Sequence, residues 1–422
     1  MSAPSRTEPA PQGGDPSSPR TAPAPFDFDL TQPDPIPEAG IARATELMRS
    51  GRLFRYTEFG DEEVNDAAEL EVRFAELVDR RYAVGVNSCG GAIFVALRAC
   101  GVQPGDKVLF NGYTLAPVPG AVHHAGAEPV LVEITDDLTI DLDDLRRKAE
   151  SSGARTLLLS HMRGHLADLE AVAALCEELG IQLIEDCAHT LGARWAGRPT
   201  GTFGRAGCFS AQTFKHLNSG EGGFVVTDDD EVAARAVLHS GSYMLYEQHR
   251  ARPPMSVFEP LRGQVPNYSL RMTALAAALL RPQLDLLPER VAAMNRLYLE
   301  LETLIGDVPH VQVCRRAAQE QYVGSSFQFA LPDLTREQIA WVVQICGDYG
   351  LPVKWYGEET MRGFTSRPAQ WDYIDPVQEL PRTEAILARL CDLRVPPSMQ
   401  LQHCRRAADI VGFAVHEAMS TS

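Results

Sequence analysis

The chain has 422 residues, 45% of them hydrophobic and 23% charged, with a formal charge of −17. It is long enough for two domains with substantial cores, and its composition is that of an ordinary soluble globular protein. The acidic balance argues against a general nucleic-acid or anionic-membrane binder, while leaving room for a local basic pocket.

The nine cysteines are scattered with no CxxC pair. Cys89, Cys100, Cys176, Cys187 and Cys208 read as small buried hydrophobes, so neither a zinc site nor a disulfide framework is expected, and a reducing cytoplasm fits. There is no signal pattern at the N-terminus and no uncharged apolar 20-mer.

Residues 1–37 are rich in Pro, Gly, Ser and Thr and are expected to form a flexible extension, with Phe26 and Phe28 as its local anchors. Ile41–Met48 reads as a short helix. Glu62–Arg80 reads as a better one, with Leu70, Phe74, Leu77 and Val78 on one face. Tyr82–Val86 is a strand, followed by a tight turn and a helix at Ile93–Cys100. Strands at Lys107–Phe110, Pro129–Ile134 and Thr156–Ser160 then alternate with helices at Ala116–Ala125, Leu142–Ala149 and Leu169–Leu179. This alternation predicts an α/β fold, a mostly parallel sheet flanked by helices.

The stretch 182–227 is where chemistry concentrates. The apolar run Ile181–Ile184 ends in Glu185-Asp186, two carboxylates at the strand edge where open α/β sheets hold ligands. A second short strand, Gly207–Ser210, leads into a polar loop with one lysine, Lys215. Gly220-Glu221-Gly222-Gly223 and the strand Phe224–Thr227 follow. Either charged residue alone means little. Together they fit a cofactor that needs an amine at one end and a carboxylate at the other, as pyridoxal phosphate does.

Beyond it, Asp230–Leu238 reads as a helix. Tyr243–Pro266 is an irregular stretch too long for a simple connector, a lid or a subunit-crossing loop. Leu270–Leu280 and Leu286–Leu304 read as helices. Then come strand Phe327–Leu331, helix Arg336–Tyr349, a loop-rich section to Pro381, helix Arg382–Leu390 and a terminal helix from about Gln402.

The segments Glu185-Asp186-Cys187-Ala188-His189, Ser210-Ala211-Gln212-Thr213-Phe214-Lys215 and Ser219-Gly220-Glu221-Gly222-Gly223 resemble, in order and spacing, the DegT/DnrJ/EryC1/StrS aminotransferase family of fold-type I pyridoxal-phosphate enzymes. Weaker matches run from about Glu58 to the C-terminus. The resemblance implies a large cofactor-binding domain over 38–285 and a smaller α+β domain over 286–422. It implies that Lys215 bonds the cofactor aldehyde and shuttles the proton, that Asp186 pairs with the ring nitrogen, and that His189 lies near the phenolic oxygen. Glu185 is expected to face away and hold structure.

For the phosphate, the resemblance points to Ser88, Cys89 and Gly90 at a helix start and to Ser210 and Gln212 before the lysine. Cys89 and Gly90 depart from the family's usual Asn-Gly-Thr-Ala. Leu115 stands where the family has an aromatic to cover the ring, with Tyr113 nearby to compensate. The family's Asn-Tyr-Arg-Met motif maps here with either Asn267 or Ser269 reaching a partner subunit's phosphate, which implies a homodimer with shared active sites. Arg163, in the place of a family tyrosine, is a candidate for a substrate carboxylate. Lys354, Tyr356 and Arg362 are further substrate-side candidates, and no metal is implied.

The implied reaction moves an amine from glutamate or glutamine to a keto-sugar or keto-cyclitol of secondary metabolism. Another pyridoxal-phosphate reaction on an amino acid (decarboxylase, aldolase-like or racemase) is the alternative. A non-catalytic regulator on the same fold is disfavoured by the retained Lys215, Asp186 and phosphate cup.

Overall fold

Short, largely apolar runs such as Thr156–Ser160 and Ala206–Ser210 are buried along their whole length, which only the interior of a helix-covered sheet allows. A computed structural model describes residues 22–56, 65–360 and 367–420. Its main sheet has seven strands. From edge to edge they are Tyr82–Val86, Gly223–Thr227, Ala206–Ser210, Gln182–Asp186, Thr156–Ser160, Lys107–Asn111 and Glu128–Val132. The five from Ala206–Ser210 onward are mutually parallel, and Gly223–Thr227 runs antiparallel to both its neighbours.

The connecting helices start where the sequence supplies a capping side chain. Ser88, Asp141, Asp168 and Asp229 each accept a backbone N–H from the first turn of their helix, satisfying donors that would otherwise be stranded. The helices at Leu142–Ser152 and Leu169–Leu179 stop at Gly153 and Gly180, both left-handed.

A second, antiparallel sheet orders Gln312–Val313, Ser326–Ala330, Leu390–Arg394 and Lys354–Trp355. Helices Leu287–Gly306, Arg336–Asp348 and Leu401–Ser420 supply its apolar cover, with Phe327, Phe329, Leu393 and Ile410 in the centre. A small three-stranded sheet pairs Glu320–Gln321 with Arg194–Trp195, which in turn pairs with Arg198–Pro199. No helix among the described residues is long and apolar enough to cross a membrane.

Within the expected extension, residues 22–37 carry no helix or strand, yet they pack on the second sheet's layer. Phe26 and Leu30 are buried in its core, the Phe26 N–H donates to the Tyr349 carbonyl at 2.8 Å, and Phe28 stacks on His403. Residues 1–21 lie outside the described residues, as do 62–64 of the helix expected from Glu62; that helix is seen as Asp66–Leu77.

Three expectations need correction. The helix expected at Ile93 starts at Cys89, because Ser88 caps it there. The helix expected from Leu270 starts at Ala274, capped by Thr273; Leu270 and Arg271 are instead engaged by the edge strand, through the Asn87 N–H and a bridge to Val86. The helix expected through Leu390 is Pro381–Leu387, and Leu390–Arg394 is an interior strand, paired on both sides. Only Leu390 of this strand lies within the expected helix; the residues after it carry no expected element. The long stretch after Tyr243 holds three short turns, at Tyr246–Gln248, Met255–Phe258 and Glu259–Leu261, pinned where Tyr246 stacks on Phe258.

Candidate active site

Four adjacent parallel strands end in polar residues: Asn111, Ser160, Asp186 and Ser210. Their carboxyl ends form the crevice edge where such sheets take ligands. Register places Ser160 beside Asp186, and the Ser160 hydroxyl donates to Asp186 Oδ2 at 2.8 Å. Ser160 Oγ in turn accepts from Thr114, 2.8 Å away. Asn111 holds the Ser160 backbone from both sides, accepting its N–H at 3.0 Å and donating to its carbonyl at 3.2 Å. The second carboxylate oxygen of Asp186 accepts the Ala188 N–H. Burial pushes the Asp186 carboxyl above its usual range, partly opposed by these donors.

Lys215 sits in the loop between Ala206–Ser210 and Gly223–Thr227. The loop is closed by Ala211 N–H to Gly222 and Thr213 N–H to Gly220, and braced from outside by Gln283, which holds both backbone groups of Asn218. Gly220, at φ 82°, takes a left-handed turn that a side chain would strain. Gln212 folds back to accept the Phe214 N–H, and Ser210 Oγ accepts the Gln212 N–H.

The Lys215 amine lies 2.6 Å from His189 Nε2. The other ring nitrogen, Nδ1, accepts the Arg163 N–H at 3.3 Å. In the neutral ring the proton is therefore on Nε2 and points at the lysine, which must accept it as an uncharged amine. Charge agrees with geometry. Burial, then the positive Arg163, brings Lys215 down to about 8. Burial, then Lys215 and Arg163, keeps His189 neutral, well below the usual histidine range.

The start of helix Cys89–Ala99 faces the same region. Ser88 Oγ caps it by accepting the Gly91 N–H. A Cβ at Gly223 would come within 2.5 Å of the Ser88 carbonyl oxygen and 2.8 Å of the Cys89 nitrogen, so only glycine lets the helix start lie against this strand. Burial and the nearby Asp186 charge push the Cys89 thiol well above its usual range.

A buried lysine amine, a buried aspartate and a bare helix start thus converge at one sheet edge. A family model described as the DegT/DnrJ/EryC1/StrS aminotransferase family matches residues 36–412. The chain belongs to that family. It is accordingly a pyridoxal-phosphate-dependent aminotransferase by class, with the expected α/β architecture. The "Pleiotropic regulatory protein" of Geobacillus stearothermophilus is 31% identical over 271 residues, covering 62% of this chain and 66% of that one. The 3-amino-5-hydroxybenzoate synthase of Amycolatopsis mediterranei is 29% identical over 321 residues, covering 75% and 79%. The solved structure of DesI with its TDP-sugar product superposes with a TM-score of 0.79 at 25% identity, over 94% of this chain and 96% of that one.

The site of this DegT/DnrJ/EryC1/StrS member fits the family's cofactor. Asp186 is 6% exposed and, among the described residues, no cation pairs with it within 4 Å. A buried carboxylate with free lone pairs and no counter-charge suits a protonated ring nitrogen. Glu185 faces the other way. It accepts the N–H groups of Gly201, Phe203 and Gly204 and lies 3.2 Å from His161, so it braces the loop beneath the site.

The substrate-side candidates fall into two groups. Arg163 has φ 56°; its Nε donates to the Tyr356 hydroxyl at 3.1 Å and its guanidinium pairs with Asp392 at 2.8 Å. Tyr113 is buried edge-on to Tyr356, the Lys354 amine lies over the Tyr356 ring, and Leu115 packs on this wall half-buried. Burial lowers Lys354 to about 7. Asn267 and Ser269, by contrast, are exposed. Asn267 lines a surface cavity with Phe94 and Arg98, toward the far end of the helix that Ser88 caps. Eleven residues of helix span about 16 Å, so within one chain Asn267 is not brought to the cup. Arg362 lies outside the described residues.

Asn111, Thr114, Ser160, Asp392 and Arg394 were not anticipated. For Asn111 and Ser160 a signal was there, since each closes an apolar strand with a polar residue at the carboxyl end. Asp392 and Arg394 fall just past the helix expected through Leu390, in a stretch for which no element is expected.

Proposed function

We propose that the protein moves an amino group from glutamate or glutamine to a keto-sugar or keto-cyclitol of secondary metabolism, with pyridoxal phosphate held between Lys215 and Asp186. The observation that carries this is the pairing of an amine lowered to about 8 with the neutral His189, 2.6 Å away, at the edge where Asp186 is buried without a cation. Likeness to the solved complex with a TDP-sugar supports a sugar acceptor.

When bound, the cofactor supplies an electrophilic aldehyde and an electron sink. Asp186 holds the ring nitrogen protonated, and the Ser160 hydroxyl and Ala188 N–H fix its carboxylate plane. His189, anchored through Nδ1, presents its Nε2–H to the phenolic oxygen. Ser88 and the backbone of Cys89 and Gly90 offer the helix start to the phosphate, with Ser210 from its strand end and Gln212 from the lysine loop. Lys215, when free, moves the proton at the substrate carbon; an amine poised near 8 serves as a base near neutral pH. Tyr113 and Leu115 wall the ring, and Lys354 and Tyr356 face the substrate.

Arg163 does not serve as the carboxylate fork expected for it. Asp392 and Tyr356 already occupy it, and its backbone instead orients His189. Asn267 or Ser269, exposed here, reaches the cup of a second copy in a homodimer in the cytoplasm. The two sheets support a division at 38–285 and 286–422.

The test is borohydride reduction of cofactor-treated protein, with mass spectrometry at Lys215, followed by transfer of labelled nitrogen to keto-sugar acceptors. No visible absorbance and no adduct would end the cofactor assignment. Carbon dioxide release with the nitrogen retained would mark the alternative chemistry.

A further inference from the structure

Arg394 and Lys215 line one small cavity, together with Thr213, Asn218, Arg290 and Asp34. Its free space of about 40 Å³ exceeds what one water requires. It suits a carboxylate-sized group and is too small for a sugar ring. The positive groups around it are not equally engaged. Arg290 lies 3.5 Å from Asp34 and donates to His216 and Gln283. Arg163 has Asp392.

Arg394 donates one N–H to the Leu30 carbonyl at 3.1 Å, and its guanidinium carbon lies over the Phe214 ring, 4.2 Å from its centre. Among the described residues, no carboxylate lies within 4 Å of it. A guanidinium carries five N–H donors in a rigid fork, so most of this one's capacity is unspent. Asp392, two residues away on the same strand, is drawn off by Arg163 and by Gln328 at 2.6 Å. Arg394 is thus left with only the longer-range charge of Asp392 and Asp29. Burial and the neighbouring Arg163 both press against the charge of Arg394, which an incoming anion relieves.

We propose that Arg394 binds the α-carboxylate of the amino-acid donor and seats it in the cavity beside Lys215. This rests on the reading above that an amino acid supplies the amine. The α-carboxylate is the one charged group fixed two bonds from the migrating nitrogen, so its receptor must share a cavity with the lysine that nitrogen displaces. A ketone of a sugar ring has no such charge beside its reacting carbon.

The experiment uses the full chain loaded with cofactor. L-Glutamate is compared with 4-aminobutyrate, which is glutamate without its α-carboxylate, by single-turnover absorbance in wild type, Arg394→Gln and Arg394→Lys. Glutarate binding to cofactor-free protein is measured alongside by calorimetry, and melting curves check the fold. Loss of a part-buried charge-assisted contact predicts that the wild-type preference for glutamate falls about 100-fold in Arg394→Gln and less in Arg394→Lys, with glutarate binding weakened in the same order. A wild type active on glutamate whose Arg394→Gln variant keeps its preference and its glutarate affinity overturns the assignment alone. A wild type that carries cofactor on Lys215 yet takes amine from no amino acid overturns the donor reading and this assignment with it.

Discussion

Arg163 and Asp392 meet at 2.8 Å although one follows a strand of the main sheet and the other lies inside the second. Each is held further: Asp392 by Gln328 at 2.6 Å, Gln328 by His165 at 2.7 Å, and Arg163 by Tyr356. The chain of contacts couples both sheets to the backbone N–H that sets the His189 ring.

Asp392→Asn leaves Arg163 buried opposite a neutral group. Breaking one side of a buried pair costs about 3 kcal/mol, and that loss is expected in urea unfolding. The companion change Arg163→Gln in the Asp392→Asn background recovers part of it, because no buried charge is then left alone. A double-mutant cycle reads the coupling directly.

Lys215, lowered to about 8, is uncharged in roughly a quarter of molecules at pH 7.5, against roughly 0.1% for an ordinary lysine. The rate at which cofactor-free protein gains visible absorbance with pyridoxal phosphate is therefore expected to climb through pH 8 and level off above it. Folding carries the same sign. Between about 8 and the usual lysine value the unfolded chain binds more protons, so this group's contribution makes stability rise with pH over that window. Lys215→Met removes the penalty. It is expected to be more stable than wild type without cofactor at pH 7, with the gap narrowing toward pH 10 in denaturant midpoints.

Ser160→Ala removes the hydroxyl between Thr114 and Asp186. A hydrogen bond to a charged group is worth about 1.5–3 kcal/mol, so the Asp186 carboxylate loses both orientation and charge stabilisation. Cofactor titration is expected to show affinity lower by about 10-fold, with the borohydride adduct still forming at Lys215.

Gly223→Ala pushes a methyl group into the Ser88 carbonyl and the Cys89 nitrogen. Overpacking of this kind costs about 1–3 kcal/mol. Because what moves is the helix start, phosphate-dependent retention is expected to suffer more than stability. Pyridoxal, which lacks the phosphate, then loses less affinity than pyridoxal phosphate in paired titrations.

The main sheet was legible because its strands are buried on both faces and read as plain apolar runs, with helices between them starting at Asp or Ser caps. Tyr82–Val86, Thr156–Ser160 and Leu169–Leu179 were read to the residue. Lys215, Asp186 and His189 could be singled out because they lie in one short stretch. The second sheet was harder. Its strands are brief or, like Leu390–Arg394, abut a helix with no breaker between, and only pairing with segments distant in the chain makes them strands. The role of Arg163 turned on Asp392, and nothing local in either segment announces that partner.

Leu30 and Arg394 lie 364 positions apart and are joined by one hydrogen bond, beside an interior strand that ends at Arg394 itself. This corner of the pocket can therefore close only once residue 394 has left the ribosome. A nascent chain arrested before codon 390 would carry the lysine, the aspartate, the helix start and the Arg163 N–H that meets the imidazole, but not the Asp392 carboxylate that anchors Arg163 in turn.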